Sequence, residues 1–117
     1  MTKQPVKNIS EKTAISKALG KLRDFGFIVI TFNSNKRFGR GMTGFVDHFI
    51  IAKGNIFFIE VKLKGDVMSE PQKKLRDALI KIEERMRMEN IQYTHYIQLN
   101  DLDQAKEFTN DVLKGAF

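Results

Sequence analysis

Residues 56–63 constrain the fold of this chain more than any other stretch. Their odd positions are Phe57, Ile59, Val61 and Leu63, all apolar, and their even positions begin with Ile56 and Phe58. A strand that is apolar on both faces belongs at the centre of a sheet with both faces covered. The even positions then end on Glu60 and Lys62, placing an acid and a base on one face. Burying either charge is costly unless it is paired, hydrogen-bonded or bound to a metal.

Residues 45–52 form a second apolar run. Lys53-Gly54, between the two runs, is a tight-turn signal, so together they predict a hairpin. Asp47 interrupts the first arm on the face of Phe45, Phe49 and Ile51. A two-residue turn at Lys53-Gly54 pairs Ala52 with Asn55 and sets Asp47 opposite Glu60. A turn at Gly54-Asn55 sets it opposite Lys62 instead. Either register keeps Asp47, Glu60 and Lys62 on one face. Cross-strand partners lie about 5 Å apart at Cβ, and Lys62 is roughly 7 Å along the strand from Glu60. Two carboxylates that close repel, and a divalent cation between them makes the arrangement favourable. The competing reading is a buried ion pair between Lys62 and either acid.

The rest of the chain supplies the order α-β-β-β-α-β-α. After Ser10, a candidate cap, Ile15, Ala18, Leu19 and Leu22 recur at helical spacing, and Phe25-Gly26 closes that helix. Residues 27–32 read as a strand. Residues 33–44 are polar and basic with three glycines and read as a loop, and Lys64-Gly65-Asp66 is another. A helix is predicted over 71–88, with Ser69 as cap and Leu75, Leu79, Ile82 and Met86 as its apolar stripe. A strand over 91–99 and a helix over 101–113 complete an α/β domain with helices flanking a mixed central sheet. Residues 1–8 read as a flexible arm and residues 9–117 as a single domain, as a length of 117 residues suggests.

Composition narrows the chemistry. There are no cysteines, which excludes disulfides, Cys-ligated zinc and thiol catalysis. The net charge of +6, from 20 Lys+Arg against 14 Asp+Glu, suits a polyanion such as nucleic acid, although solubility accounts for such a charge equally well. No run approaches the roughly 20 apolar residues that span a bilayer, and the N-terminus has no signal-peptide pattern. The expectation is a cytoplasmic protein, host-cytoplasmic if phage-encoded, with no membrane partner.

Gly44-Phe45-Val46-Asp47, twelve residues, then Glu60-Val61-Lys62 resembles the PD-(D/E)xK nuclease signature. With the glycine-rich basic loop before it and Gln72 opening the next helix, residues 9–105 resemble the VRR-NUC family, the virus-type replication–repair nucleases. Val46 departs from that pattern, where the family usually has proline. The resemblance implies a restriction-endonuclease-like α-β-β-β-α-β core. It also implies magnesium or manganese held by Asp47, Glu60 and the Val61 carbonyl, with Lys62 assisting the attacking water and Glu11 and Gln72 in support. The substrate it implies is DNA, branched or resembling a Holliday junction, cut by a homodimer. The alternative is an inactive nucleic-acid-binding module of the same fold, and a third reading is an unrelated basic α/β protein with a buried Lys–Glu pair.

Each supporting residue has a plainer reading beside the functional one. Glu11 suits the first turn of a helix by its charge, yet it shares the apolar stripe of Ile15, Ala18 and Leu22. Ser69 and Gln72 form a capping-box pattern, yet Gln72 also shares the stripe of Leu75 and Leu79. His48 points away from Asp47, with Val46, Ile50 and Ala52, and both it and His95 read as packing residues. Lys36, Arg37 and Arg40 are candidate phosphate contacts in the glycine-rich loop, with Lys64, Lys73 and Lys74 on the other side. Lys81, Glu83, Glu84, Arg85 and Arg87 read as a solvated outer face.

Overall fold

The computed structural model describes residues 6–32, 46–89 and 93–117, with side chains from Ser10 onward in the first stretch. The elements are α1 (Val6–Gly20), a 3-10 turn (Lys21–Phe25), β1 (Ile28–Thr31), β2 (His48–Ala52), β3 (Asn55–Val61), α2 (Glu70–Met88), β4 (Thr94–Leu99) and α3 (Leu102–Lys114). The four strands form one sheet in the order β1-β2-β3-β4. β1, β2 and β3 run antiparallel in succession, and β4 lies parallel to β3. The chain is therefore an α/β domain with a mixed sheet, and α2 makes the crossover between the parallel strands.

The β2–β3 hairpin takes the first of the two registers. Ala52 pairs with Asn55 and His48 with Ile59. Lys53 and Gly54 both have positive φ, 51° and 79°, as a two-residue turn matched to strand twist requires. At Gly26 a φ of 84° ends the 3-10 turn; its N–H donates to the Arg23 carbonyl and the Phe27 N–H to that of Leu22.

The helix periodicities sort into one full core and one partial one. On one face of the sheet, Ile15, Ala18 and Leu19 of α1, Leu22 of the 3-10 turn, and Ala105, Phe108 and Val112 of α3 pack against Ile50, Ala52, Phe57, Ile59 and Val61. Phe57 is the hub, fully buried, stacked on His95 at 5.0 Å and edge-on to Phe108 at 5.1 Å. On the other face α2 packs against β4. It buries Leu79, and Leu75 and Met86 only partly. Ile82, expected in the buried stripe, is 48% exposed, because α2 does not extend over β1 and β2. Ile28 and Ile30 of β1, on that same face, stay 52% and 44% exposed.

Several expected boundaries move. The helix begins at Val6, so residues 6–8 belong to α1 and not to an arm, and Ser10 lies inside the helix instead of capping it. No glycine or proline occurs between Val6 and Ser10 to break a helix there. The strands expected over 27–32 and 56–63 pair only over Ile28–Thr31 and Asn55–Val61. Residues 1–5, 33–45 and 90–92 lie outside the described residues, and with them Lys36, Arg37 and Arg40.

Side chains cover the backbone of both edge strands. Arg23 donates from Nε and Nη2 to the Val29 carbonyl of β1, at 3.1 and 2.8 Å. Glu83, read from sequence as solvated, accepts from the Tyr96 N–H of β4 at 2.8 Å. Because Phe57 anchors the full core, Phe57→Ala should cost about 3–5 kcal/mol of stability, read as a fall in the urea unfolding midpoint.

Candidate active site

The site is built where β2 begins and β3 ends. Glu60, on the partly covered face, is only 2% exposed, more buried than its apolar face-mates Ile56 and Phe58. Asp47 sits one residue before the ladder between β2 and β3. Its N–H donates to the Ile59 carbonyl at 3.0 Å and its carbonyl accepts from the Phe32 N–H at 2.9 Å. Its Oδ2 accepts from the Val61 N–H at 2.8 Å. That last bond turns the Asp47 side chain onto the end of β3, beside Glu60. Lys62 follows one residue beyond β3, its N–H held by the Leu99 carbonyl at 2.9 Å.

Gln72 ties these groups together. Its Nε2 donates to Glu60 Oε1 at 2.8 Å, and its Oε1 accepts from Lys62 Nζ at 3.0 Å. The same Oε1 accepts from the Ser69 N–H at 3.1 Å, while the Gln72 N–H donates to Ser69 Oγ at 3.3 Å. The capping box is complete, so the two readings of Gln72 are both realised by one side chain. A carbonyl oxygen has two lone pairs, and Gln72 gives one to the cap and one to the lysine. Lys62 Nζ also lies 3.7 Å from Glu60 Oε1.

The electrostatics follow from this crowding. Burial, and after it the Asp47 charge, push the Glu60 carboxyl up to about 8, against the opposing pull of Lys62. Both effects favour the protonated form of Glu60 near neutral pH. Two carboxylates and nearby backbone carbonyls form an all-oxygen donor set, which suits a hard divalent cation. Such a cation relieves the repulsion that holds Glu60 protonated. Among the described residues no group of three or more His, Asp or Glu side chains forms a ligand cluster. The acids gathered here among the described residues are two, a number magnesium accepts when water or phosphate completes its shell.

Other predicted residues go elsewhere. Glu11 faces inward as its stripe suggests, but α1 packs on the opposite side of the sheet from Gln72. Its Oε2 accepts from the Leu102 N–H at 3.1 Å, at the start of α3, where a carboxylate meets unpaired amides and the positive end of a helix. Lys73 pairs with Glu70 at 3.2 Å on the surface, and Lys64 is exposed in the turn after β3. His48 is buried and shares a 3.0 Å hydrogen bond with Thr31 Oγ1. Burial lowers its pKa, and Arg23 adds to this against the raising effect of Asp47, so it is a neutral packing residue. His95 Nε2 donates to Asn55 Oδ1 at 3.0 Å, the oxygen left by Asn55 Nδ2 donating to the Lys53 carbonyl.

Sequence patterning missed Asp66 as a brace. Its Oδ2 accepts from the Leu63 N–H and from Lys12 Nζ, at 3.0 and 3.1 Å. Burial alone raises its pKa, but the Leu63 amide and Lys12 hold the carboxyl below the usual range. The turn Leu63–Asp66, with Gly65 at φ 92°, is thereby tied to α1 just past Lys62. An aspartate closing a glycine turn was the available signal.

No family model, curated protein or solved structure matches the chain.

The raised Glu60 pKa gives a signed pH dependence. Between its ordinary value near 4.5 and about 8, the unfolded chain loses this proton and the folded chain keeps it. The folded state binds more protons in that window, so this group's contribution to stability falls as pH rises. In thermal melts without metal from pH 5 to 8, Glu60→Gln should lose less stability than the wild type. Adding Mn2+ at pH 8 should raise the wild-type melting temperature and leave that of Glu60→Gln nearly unchanged.

Proposed function

We propose that this chain is a metal-dependent nuclease that hydrolyses phosphodiester bonds in DNA. The observation that carries the reading is the Asp47–Glu60–Lys62–Gln72 cluster: two adjoining carboxylates, one of them with its pKa pushed up by burial and by the other's charge, beside a lysine held in place by a glutamine. A structural ion pair requires one acid and one base. The second acid, and the glutamine that bridges acid to lysine, are surplus to it.

Asp47, Glu60 and the Val61 carbonyl are the groups we assign to magnesium or manganese. Such an ion, when bound, polarises the phosphate and acidifies the attacking water. The chain's own residues do the positioning. Asp47 is fixed by the Val61 amide and Glu60 by the Gln72 amide, so both carboxylates are preorganised. Lys62 is largely buried and held by Gln72, so its ammonium can orient water or stabilise charge developing on the phosphate. Glu11 is left to the start of α3, and we assign it a structural role.

The order α-β-β-β-α-β and the mixed sheet accord with a restriction-endonuclease-like core of the VRR-NUC kind. On that resemblance we propose branched DNA as the preferred substrate and a homodimer as the cutting unit, since one such site cuts one strand. Lys36, Arg37, Arg40, Lys64 and Lys73 are the proposed DNA contacts, and the net charge of +6 supports a polyanionic partner.

The test is cleavage of linear, flapped and four-way-junction DNA with magnesium or manganese. The wild type should cut at least one of them, and Lys62→Ala should lower the rate by about 100-fold or more, as loss of a preorganised charged group does. Binding without cutting would support the inactive module of the same fold. Neither binding nor cutting would leave a basic α/β protein with a buried Lys–Glu pair.

A further inference from the structure

Tyr96 carries the one buried side-chain oxygen or nitrogen among the described residues that has no hydrogen-bond partner. Its position in the sheet is defined. Tyr96 pairs with Phe58, and Gln98 with Glu60, across the parallel β3–β4 ladder. Tyr96 therefore lies on the same face as Glu60, one diagonal step away, a separation an aromatic side chain can span. Its backbone N–H is held by Glu83 of α2, which pins the residue under that helix. Burial raises its pKa first and the Glu60 carboxylate next, so the hydroxyl stays protonated and is a donor.

A phenylalanine would fill the same space and leave no polar group unsatisfied. A buried hydroxyl without a partner has lost its water and gained nothing in return. It calls for an acceptor, and the Glu60 carboxyl lies one diagonal step away on the same face of the sheet. Glu60 Oε1 already receives Gln72 Nε2 at 2.8 Å, whereas a carboxylate offers about four acceptor positions over its two oxygens. Arg76, one helical turn beyond Gln72, is not an acceptor, and its own donors go to Asp77 and to the Met68 sulfur.

We propose that Tyr96 is a positioning residue for Glu60, its hydroxyl donating to the Glu60 carboxylate and fixing that side chain's orientation when the site is loaded. It stands outside the ligand set and acts through Glu60, as groups behind metal-binding carboxylates commonly do. The inference rests on the assignment of Glu60 as a metal ligand.

Tyr96→Phe removes the oxygen and keeps the ring. Mn2+ binding to the purified full chain is measured by titration calorimetry, thermal melting without metal is recorded, and DNA cleavage is followed over a range of Mn2+ concentrations. Mn2+ affinity should fall by about 10-fold or more. The metal-free melting temperature should hold or rise, and saturating Mn2+ should restore most of the cleavage rate. An affinity within about twofold of the wild type overturns the proposal. So does a lowered metal-free melting temperature, which would show that the hydroxyl serves the resting fold. A wild type that binds Mn2+ and cuts DNA, beside an unchanged Tyr96→Phe, sinks this inference alone. A wild type that neither binds Mn2+ nor cuts sinks the nuclease reading and this inference with it.

Discussion

The buried carboxyl of Glu60 is the constraint around which the other parts of the site are arranged. It sits on an interior strand, 2% exposed, beside a second carboxylate. Taking one ionised carboxylate out of water costs several kcal/mol (about that order, after protein relaxation), and a second negative charge adds to it. The fold offsets this with donors of fixed direction. Gln72 and Lys62 approach Glu60 from one side, and the Val61 amide holds Asp47 on the other. These donors do not offset burial and the Asp47 charge, so the Glu60 pKa stays raised.

Gln72 connects this local electrostatics to the architecture. Its side chain completes the capping box that starts α2 and also bonds both Glu60 and Lys62. The beginning of the crossover helix is thus set by the same atoms that order the site. Behind it, the turn that carries the chain from Lys62 to α2 is held by Asp66 and tied to α1 through Lys12. The two sides of the sheet then divide the work. The face under α1 and α3 is packed around Phe57 and supplies most of the stability. Among the described residues the face under α2 is less fully packed, with Ile28 and Ile30 of β1 half exposed.

Much of this was readable in the sequence because the relevant interactions are local. Strand parity placed Asp47, Glu60 and Lys62 on one face in either of the two registers the turn allowed, and the structure takes the one with Lys53-Gly54 as the turn. The inward stripe of α1 came from helical period alone. Glu11 shows where that reasoning stops. A stripe states that a side chain faces inward, but not which face of the sheet its helix covers, and Glu11 meets the amide of Leu102 across the core. Glu83 and Tyr96 were hidden for a similar reason, since their roles depend on α2 lying over β4 and on partners far along the chain.

The amino-acid order alone thus specified the order of the elements, the hairpin and the shared face of the three charged residues, because backbone geometry and side-chain alternation act over a few residues. Folding in three dimensions added the long-range choices. It put Glu60 out of water, raised its proton affinity, let Gln72 serve cap and site at once, and sent Glu11 to the start of α3. Those outcomes depend on desolvation and on distances between segments, neither of which is encoded at any single position.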